Sequence, residues 1–465
     1  MSTNEENLVN ELWRGLQGTR SMPVLTLAGP ARLLPSPFHV DVLATASIAL
    51  ATACAASLWS ERTGQAARAI SVDRRHAAAA FRSERYTAIP ARATPPSWDP
   101  IAGDYETRDG FIRLHTNYRA HRDAVLNVLG VPAERAAVAK AVRSWDAEAL
   151  EQRIVAASGC AAMLRERAAY QAHAQGVAIA SEPLFAISNT ESDVPAFPSA
   201  TPAPLAGIRV LDLTRVIAGP VCTRFLSAHG ADVLRIDPPD FDEVPALLPD
   251  TTMGKRRAVL DLREASHRET FKRLIAEAHV LVIGYRSDAL DRLGLGAALC
   301  AQLNPGLVTV RLDAYGFGGP WATRRGFDSL VQMSSGIAAR GRAWKGCREP
   351  YPLPAQALDH ASGYLAAAAV CHGLTLALTK RTGSETRLSL AGSAELLWQL
   401  GTDDLRDGRE LSEEEVAPYL ESADSPWGPA QRLSCPGAIE GYRPRWTLPV
   451  GPLGCDAPTF AQRAA

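Results

Sequence analysis

Between Gly207 and Leu312 short apolar runs alternate with longer helical stretches, and this alternation restricts the fold more than any other feature of the sequence. Gly207-Ile208-Arg209-Val210-Leu211-Asp212-Leu213 reads as a buried strand and Ala231 to Ile236 as the next. Between them Pro220 to His229 reads as a helix, with proline suited to its first turn. Further strands are expected at Ala258–Leu262, His279–Ile283 and Leu307–Leu312, with a helix over Ser266–Ala278. Strands that alternate with helices form a parallel sheet joined by right-handed crossovers. Ligands of such sheets sit beyond the carboxyl ends of the strands.

The stretch Asn189–Pro204 is rich in proline, serine and threonine, has no apolar period and reads as a linker. It divides an N-terminal region, 1–188, from an α/β segment, 205–400, followed by a tail, 401–465. The N-terminal region carries an α+β pattern, with a strand around Phe111–His115 and helices over His121–Leu129, Glu134–Arg143 and Ala147–Gly159. Further on, Tyr364–Thr379 is apolar nearly all round, as a helix buried in a domain would be, and Arg381-Thr382-Gly383 is expected to end it with glycine at the C-cap. An earlier stretch echoes this one. Asp41 opens an alanine-rich apolar helix ended by Arg62-Thr63-Gly64 and followed by a strand, just as Asp359 precedes the later helix and its strand, Arg387–Leu390. The match reads as a degenerate duplication. Val42–Trp59 has about the minimum length of a membrane span, but with Asp41 and Glu61 close to its ends it is expected to be a buried helix.

Composition excludes several functions. The formal charge is −1 with 46% apolar residues, which gives no electrostatic footprint for nucleic acid or an acidic membrane. The eight cysteines form no CxxC pair, so neither a zinc site nor a disulfide framework is expected, and reduced thiols in the cytoplasm are the simple reading. The N-terminus lacks a basic segment followed by an apolar core and is not expected to be a secretory signal.

Three places could carry chemistry. The turn Thr214–Pro220 lacks the GxGxxG of a dinucleotide site, yet it is a strand-to-helix turn of small residues whose helix N-terminus can face an anion or a developing oxyanion; an ordinary βα turn is the alternative. Gly254-Lys255-Arg256-Arg257 is a basic cluster placed just before a strand, either a solvated face or a corner that holds phosphate. Ala357-Leu358-Asp359-His360-Ala361-Ser362-Gly363 opens the apolar helix, with Asp359 either a helix cap or a reactive carboxylate; its neighbour His360 points elsewhere and forms no dyad with it.

Taken in order and spacing, PLAGIRVLDLTRVIAGPVCTRFLSAHGADVLRID, GKRRAVLDL, ALDRLGLG, AYGFGGPWATRRGFDSLVQMSSG and ALDHASGYLAA resemble the class III CoA-transferase (CaiB/BaiF) family over Pro204–Leu400. WDPIAGDYETRDGFIRLHTNYRAHRDAVLNVLG is similar to the later, small-domain part of that family, so the chain looks rearranged, a later half first. The resemblance implies an α/β protein with a Rossmann-like parallel sheet domain, a smaller α+β domain and a homodimer. It implies a CoA-transferase that moves CoA between an acyl-CoA and a small carboxylic acid through an aspartyl-CoA thioester. Coenzyme A would be a substrate and not a permanently bound cofactor, with no metal. Asp359 would be the nucleophile, its carboxylate kept ionised by the helix start. Val216 and Ala218 would line the site, Lys255 and Arg256 would face CoA phosphate, Tyr285 would pack near adenine, Arg292 would add a phosphate contact, and Tyr315 would sit beside the pantetheine or acyl end.

The chain also departs from the family. Ile217 stands where formyl-CoA transferases have glutamine, Pro238 replaces an arginine, Gly284 replaces an asparagine, and the glycine-rich loop that covers the aspartate in some members has no match. Phe327 stands at the histidine of the related racemases and cannot transfer a proton, which argues against α-proton exchange. The alternatives are an acyl-CoA isomerase or racemase on the same scaffold, or a CoA-binding protein without catalysis. Asp41 lacks the Asp-x-x-Ser-Gly context and reads as a structural cap.

Overall fold

The computed structural model describes residues 4–18, 20–93, 95–191, 202–240, 243–285 and 288–461. The middle of the expected linker, 192–201, lies outside the described residues.

The N-terminal region opens on a helix over Asn4–Gln17 and continues through β1 (Leu25–Ala28), the long helix α1 (Val40–Thr63) and β2 (Ile70–Asp73), with β1 and β2 parallel. A small antiparallel sheet follows, β3 (Gly103–Glu106), β4 (Phe111–Leu114) and β5 (Ala161–Met163), covered by helices that bury Val125, Val138, Leu150 and Ile154 against Ile112 and Leu114. The region ends on β6 (Ala186–Glu191), which takes the first three residues expected of the linker.

The α/β segment supplies β7 (Arg209–Leu213), α2 (Ala218–Ala228), β8 (Asp232–Asp237), β9 (Lys255–Val259), α3 (Ala265–Glu277), β10 (Val280–Ile283), α4 (Ala297–Leu303) and β11 (Val308–Asp313). After these come α5 (Asp328–Ser334), α6 (Ala357–Lys380) and β12 (Thr382–Ser389). Together with β6 these strands form one mixed sheet of seven, in the order β6-β12-β11-β10-β7-β8-β9. Every neighbouring pair is parallel except β6 with β12. The chain therefore builds outward from β7 through β8 and β9, then returns to β7 and builds the other way from β10. The direction of winding reverses between β7 and β10, the position at which sheets of this kind open a crevice at the carboxyl ends of their strands.

One register differs from expectation, and it matters for the site. The third strand of this segment begins at Lys255 and not at Ala258, so the basic cluster is the strand itself. Alternate side chains of a strand point to opposite faces, which turns Lys255 and Arg257 inward. The end of the long helix also differs. Arg381 itself takes the left-handed conformation at φ 53°, while Gly383 lies within β12, where an added Cβ would stand 2.2 Å from the Pro305 carbonyl oxygen. Its counterpart does end on glycine, with Gly64 at φ 66°.

The echo seen in the sequence is an echo in space. Helices α1 and α6 each span 24 residues, lie against each other, and each precedes a strand parallel to an earlier one, β1 with β2 and β11 with β12. Both are long and apolar enough to cross a membrane, and both are core helices, with 100% and 94% of their most apolar windows buried inside the protein. Small residues permit the tight packing around α6. A Cβ on Gly373 would meet Val308 Cγ1 at 2.5 Å, and one on Gly363 would meet the Ala218 carbonyl oxygen at 2.5 Å. The single largest core runs through α1, α2 and α6, so the N-terminal region and the α/β segment share one interior. Each fully buried leucine in it, such as Leu50 or Leu365, contributes about 1.5–3 kcal/mol.

Candidate active site

The site is built at the start of two helices. After β7 the chain turns through Thr214, Arg215, Val216 and Ile217 into α2. Val216 has φ 66°, a region a β-branched residue enters only at a cost of roughly 1–3 kcal/mol. Its N–H donates to Glu243 Oε2 at 3.2 Å. Val216 and Ala218 are partly exposed, and Gly363 of α6 packs on the Ala218 carbonyl, so the face of α6 that carries Gly363 meets the start of α2. Asp359 lies one turn earlier on that face.

The Asp359 side chain is 7% exposed, and among the described residues its carboxyl takes no hydrogen bond. Burial holds its pKa well above the usual carboxylate range, and the nearby charges of Asp328 and Glu84 raise it further. This corrects the expectation that the helix start keeps Asp359 ionised. The helix N-terminus is already satisfied by another residue: Asp328 Oδ2 accepts from the backbone N–H groups of Leu358 at 2.8 Å and Asp359 at 3.0 Å, and Oδ1 accepts from the Gln332 side chain. Burial raises Asp328 as well, but less, because those hydrogen bonds favour its charged form. The hydrogen bonds from α6 and Gln332 thus favour the charged form of Asp328, while Asp359 has no such partner among the described residues to offset its burial.

His360 is fully buried, stacks on Phe81 with ring centroids 5.5 Å apart, and places Nε2 3.4 Å from Glu84 Oε2. Burial works against charge on Glu84, yet the contact with His360 brings its pKa below the ordinary value. Phe81 and Glu84 belong to the N-terminal region, as do His115, stacked flat on Phe327 at 3.6 Å, and Tyr118, whose hydroxyl donates to Glu243 Oε1 at 3.1 Å. The N-terminal region thus borders this site within the same chain.

The other expected residues divide. Tyr285 follows β10 beside the turn, with the Arg215 guanidinium 4.7 Å over its ring. Arg256 is partly exposed and paired with Asp232. Arg292 is 66% exposed and paired with Asp288 at 2.5 Å, with no contact to the turn among the described residues. Two placements differ from what the resemblance implied. Lys255 is fully buried, its Nζ 3.1 Å from Asp212 Oδ2 and 3.3 Å from the Pro220 carbonyl, so it serves as an internal counter-ion and presents no surface to a phosphate. Tyr315 is fully buried, with its hydroxyl on Ser334 at 3.3 Å and its ring against Trp321, and presents no surface to a ligand. Asp41 is a structural acceptor, taking the N–H groups of Arg32 at 2.6 Å and Leu33 at 3.2 Å. Asp328, Glu84 and Glu243 were not singled out from the sequence, and only Asp328, inside the Gly326-Phe327-Asp328 tract, lay in a segment with a signal. Among the described residues no group of histidine, cysteine, aspartate or glutamate is arranged to hold a metal ion.

Residues 205–423 match the family model of CoA-transferase family III. This segment is similar to that family. Acetyl-coenzyme A transferase nodX of Hypoxylon pulicicidum is 35% identical over 186 residues, which is 39% of this chain and 31% of that protein. The beta subunit of succinyl-CoA–L-malate CoA-transferase of Chloroflexus aurantiacus is 34% identical over 193 residues, 39% of this chain and 46% of that one. A crystal structure of Rv3272 from Mycobacterium tuberculosis aligns with 27% identity and a TM-score of 0.38 over 43% of this chain and 60% of that one. The chain thus spans a third to a half of the length of these curated relatives. The family III segment ends inside the tail and contains every residue of the candidate site except those contributed by the N-terminal region.

The packing of α6 on α2 gives a first test. Gly363→Ala adds a Cβ 2.5 Å from the backbone oxygen of Ala218 and 2.7 Å from Val221 Cβ, and is expected to destabilise by about 1–3 kcal/mol in denaturant titration. An unchanged midpoint would show that the two helices are not held this close.

Proposed function

We propose that this chain is an enzyme that moves coenzyme A between an acyl-CoA and a carboxylic acid, with Asp359 as nucleophile. The observation that carries the reading is the Asp359 carboxyl, which stands at the head of a core helix beside the partly exposed β7–α2 turn and is bound to nothing among the described residues. The helix cap is supplied by Asp328, which leaves Asp359 free for chemistry. A carboxylate stripped of hydrogen bonds is a stronger nucleophile, and its raised proton affinity is the other side of the same desolvation.

In this reading the fraction of Asp359 that has given up its proton is the reactive form: its ionised oxygen attacks the thioester carbonyl, the C–S bond breaks, and CoA leaves as thiolate. The thiolate attacks the Asp359 carbonyl of the mixed anhydride and releases the donor's acid as carboxylate, leaving an aspartyl-CoA thioester. The acceptor carboxylate attacks that thioester, CoA thiolate leaves again, and its return to the acceptor's carbonyl restores Asp359 as carboxylate. No proton is gained or lost over the cycle. The first turn of α2 is the source of N–H donors for the tetrahedral oxyanions. The reversal of winding between β7 and β10 supports a Rossmann-like reading of the sheet, with the CoA held along that crevice by the Val216–Ala218 turn and Tyr285, whereas Arg256, at the amino end of β9 and paired with Asp232, lies at the other end of the strands. A homodimer in the cytoplasm belongs to the same proposal, as does Arg292 as an outer phosphate contact.

Trapping tests this directly. Incubation with acetyl-CoA or succinyl-CoA followed by hydroxylamine is expected to leave a hydroxamate on the peptide that contains Asp359, detected by mass spectrometry. Its absence with several acyl donors would refute the nucleophile. Binding of coenzyme A with no turnover of any donor would instead favour a protein that binds CoA without catalysis.

A further inference from the structure

The turn that borders the candidate site is strained, and the structure holds it from outside. Among the described residues five non-glycine positions have positive φ, and Val216 is the β-branched one. Its N–H meets Oε2 of Glu243, and the same oxygen receives Arg235 Nη2 at 2.9 Å. Oε1 receives the Tyr118 hydroxyl at 3.1 Å and the N–H of Val244 at 3.0 Å. The side chains of Glu243 and Arg235 are both 0% exposed. Arg235 is itself fixed on Asp237, with Nε 2.9 Å from Oδ2. Four donors, the neighbouring Val244 N–H and three from elsewhere in the chain, therefore converge on one buried carboxylate, as such a group requires to remain in the interior. Arg215, next to Val216, leans over Tyr285 on the neighbouring strand end, so the conformation of the turn also sets that side of the crevice.

We propose that Glu243 is a positioning residue that clamps the β7–α2 turn in its left-handed conformation, with Tyr118 of the N-terminal region as the second anchor of the clamp. Released from Glu243, Val216 relaxes to negative φ and swings Ile217 and Ala218 away from the mouth of the crevice. The clamp makes the ligand-facing turn depend on a contact between the N-terminal region and the family III segment. The ligand named here, coenzyme A, rests on the function proposed above; the clamp itself does not.

The test is a cycle of Glu243→Gln, Val216→Gly and the double variant, with Tyr118→Phe beside them, read by hydrogen exchange of the backbone amide at position 216 and by calorimetry with coenzyme A. Glu243→Gln is expected to accelerate exchange at that amide and to weaken coenzyme A binding about tenfold; Tyr118→Phe should do the same to a smaller degree. Glycine adopts positive φ without strain, so in the double variant binding should return to within about threefold of Val216→Gly alone. A double variant as impaired as Glu243→Gln, or unchanged exchange in Glu243→Gln, would overturn the clamp. If Glu243→Gln does not fold, Tyr118→Phe with and without Val216→Gly gives the same comparison. If the wild-type protein binds no coenzyme A, the proposed function fails, and the clamp stands or falls on amide exchange.

Discussion

Asp359→Asn is expected to abolish CoA transfer and, at the same time, to make the protein more stable at pH 8. The loss of activity should be at least about a thousandfold, because the covalent route disappears and what remains is binding and oxyanion stabilisation. The gain in stability follows from the raised pKa of the buried Asp359 carboxyl. The native state holds the Asp359 proton more tightly than the unfolded chain, so above the ordinary carboxylate value the native protein binds more protons than the unfolded one. Stability from this group is complete below that value and is lost as pH rises toward the native pKa. Asparagine carries no charge at any pH and avoids that loss. Thermal melts at pH 4 and pH 8 decide it: the variant should match wild type at the lower pH and melt higher at the upper one. Equal melting at both would mean that Asp359 is ionised without penalty, and retained turnover would remove it as nucleophile.

Lys255→Ala should produce the largest loss of stability among the changes considered, about 3–5 kcal/mol. The side chains of Lys255 and Asp212 are both 0% exposed, and removing the cation strands a buried carboxylate. The Thr214 and Thr223 hydroxyls remain on Asp212, at 2.5 and 2.6 Å, but hydrogen bonds from neutral groups do not replace a counter-ion. Burial pulls the lysine down to about 8, against the attraction of Asp212. Lys255→Met combined with Asp212→Leu should cost less than Lys255→Ala alone, since it removes the stranded charge. Urea titration measures the loss. Unchanged stability with weakened binding of coenzyme A would restore Lys255 to the phosphate-binding role that the resemblance implied.

The two positions show how far sequence carries. The place of Asp359 at the head of the long helix was legible because the apolar run that follows it marks a buried helix. The strands β7, β8, β10 and β11 were legible because strands buried on both faces are continuous apolar runs. The strand β9 was misplaced by three residues because its first three residues are Lys255, Arg256 and Arg257, which by hydropathy belong to a loop. They can lie in a sheet because Asp212, Asp232 and Asp456 meet them, and none of these partners is adjacent in sequence.

What the sequence determined by itself is local: where the chain extends, where it coils into helices, and which carboxylate begins the long buried helix. These follow from the period of apolar side chains and from the chemistry of single residues. Tertiary structure alone decided the state of those groups. It gave the helix cap to Asp328, set Glu84 beside His360, placed the Val216 N–H on Glu243 and buried Lys255. The reason is that charge, proton affinity and backbone strain depend on the groups that surround a residue in space, and in this protein those groups come from both sides of the expected linker.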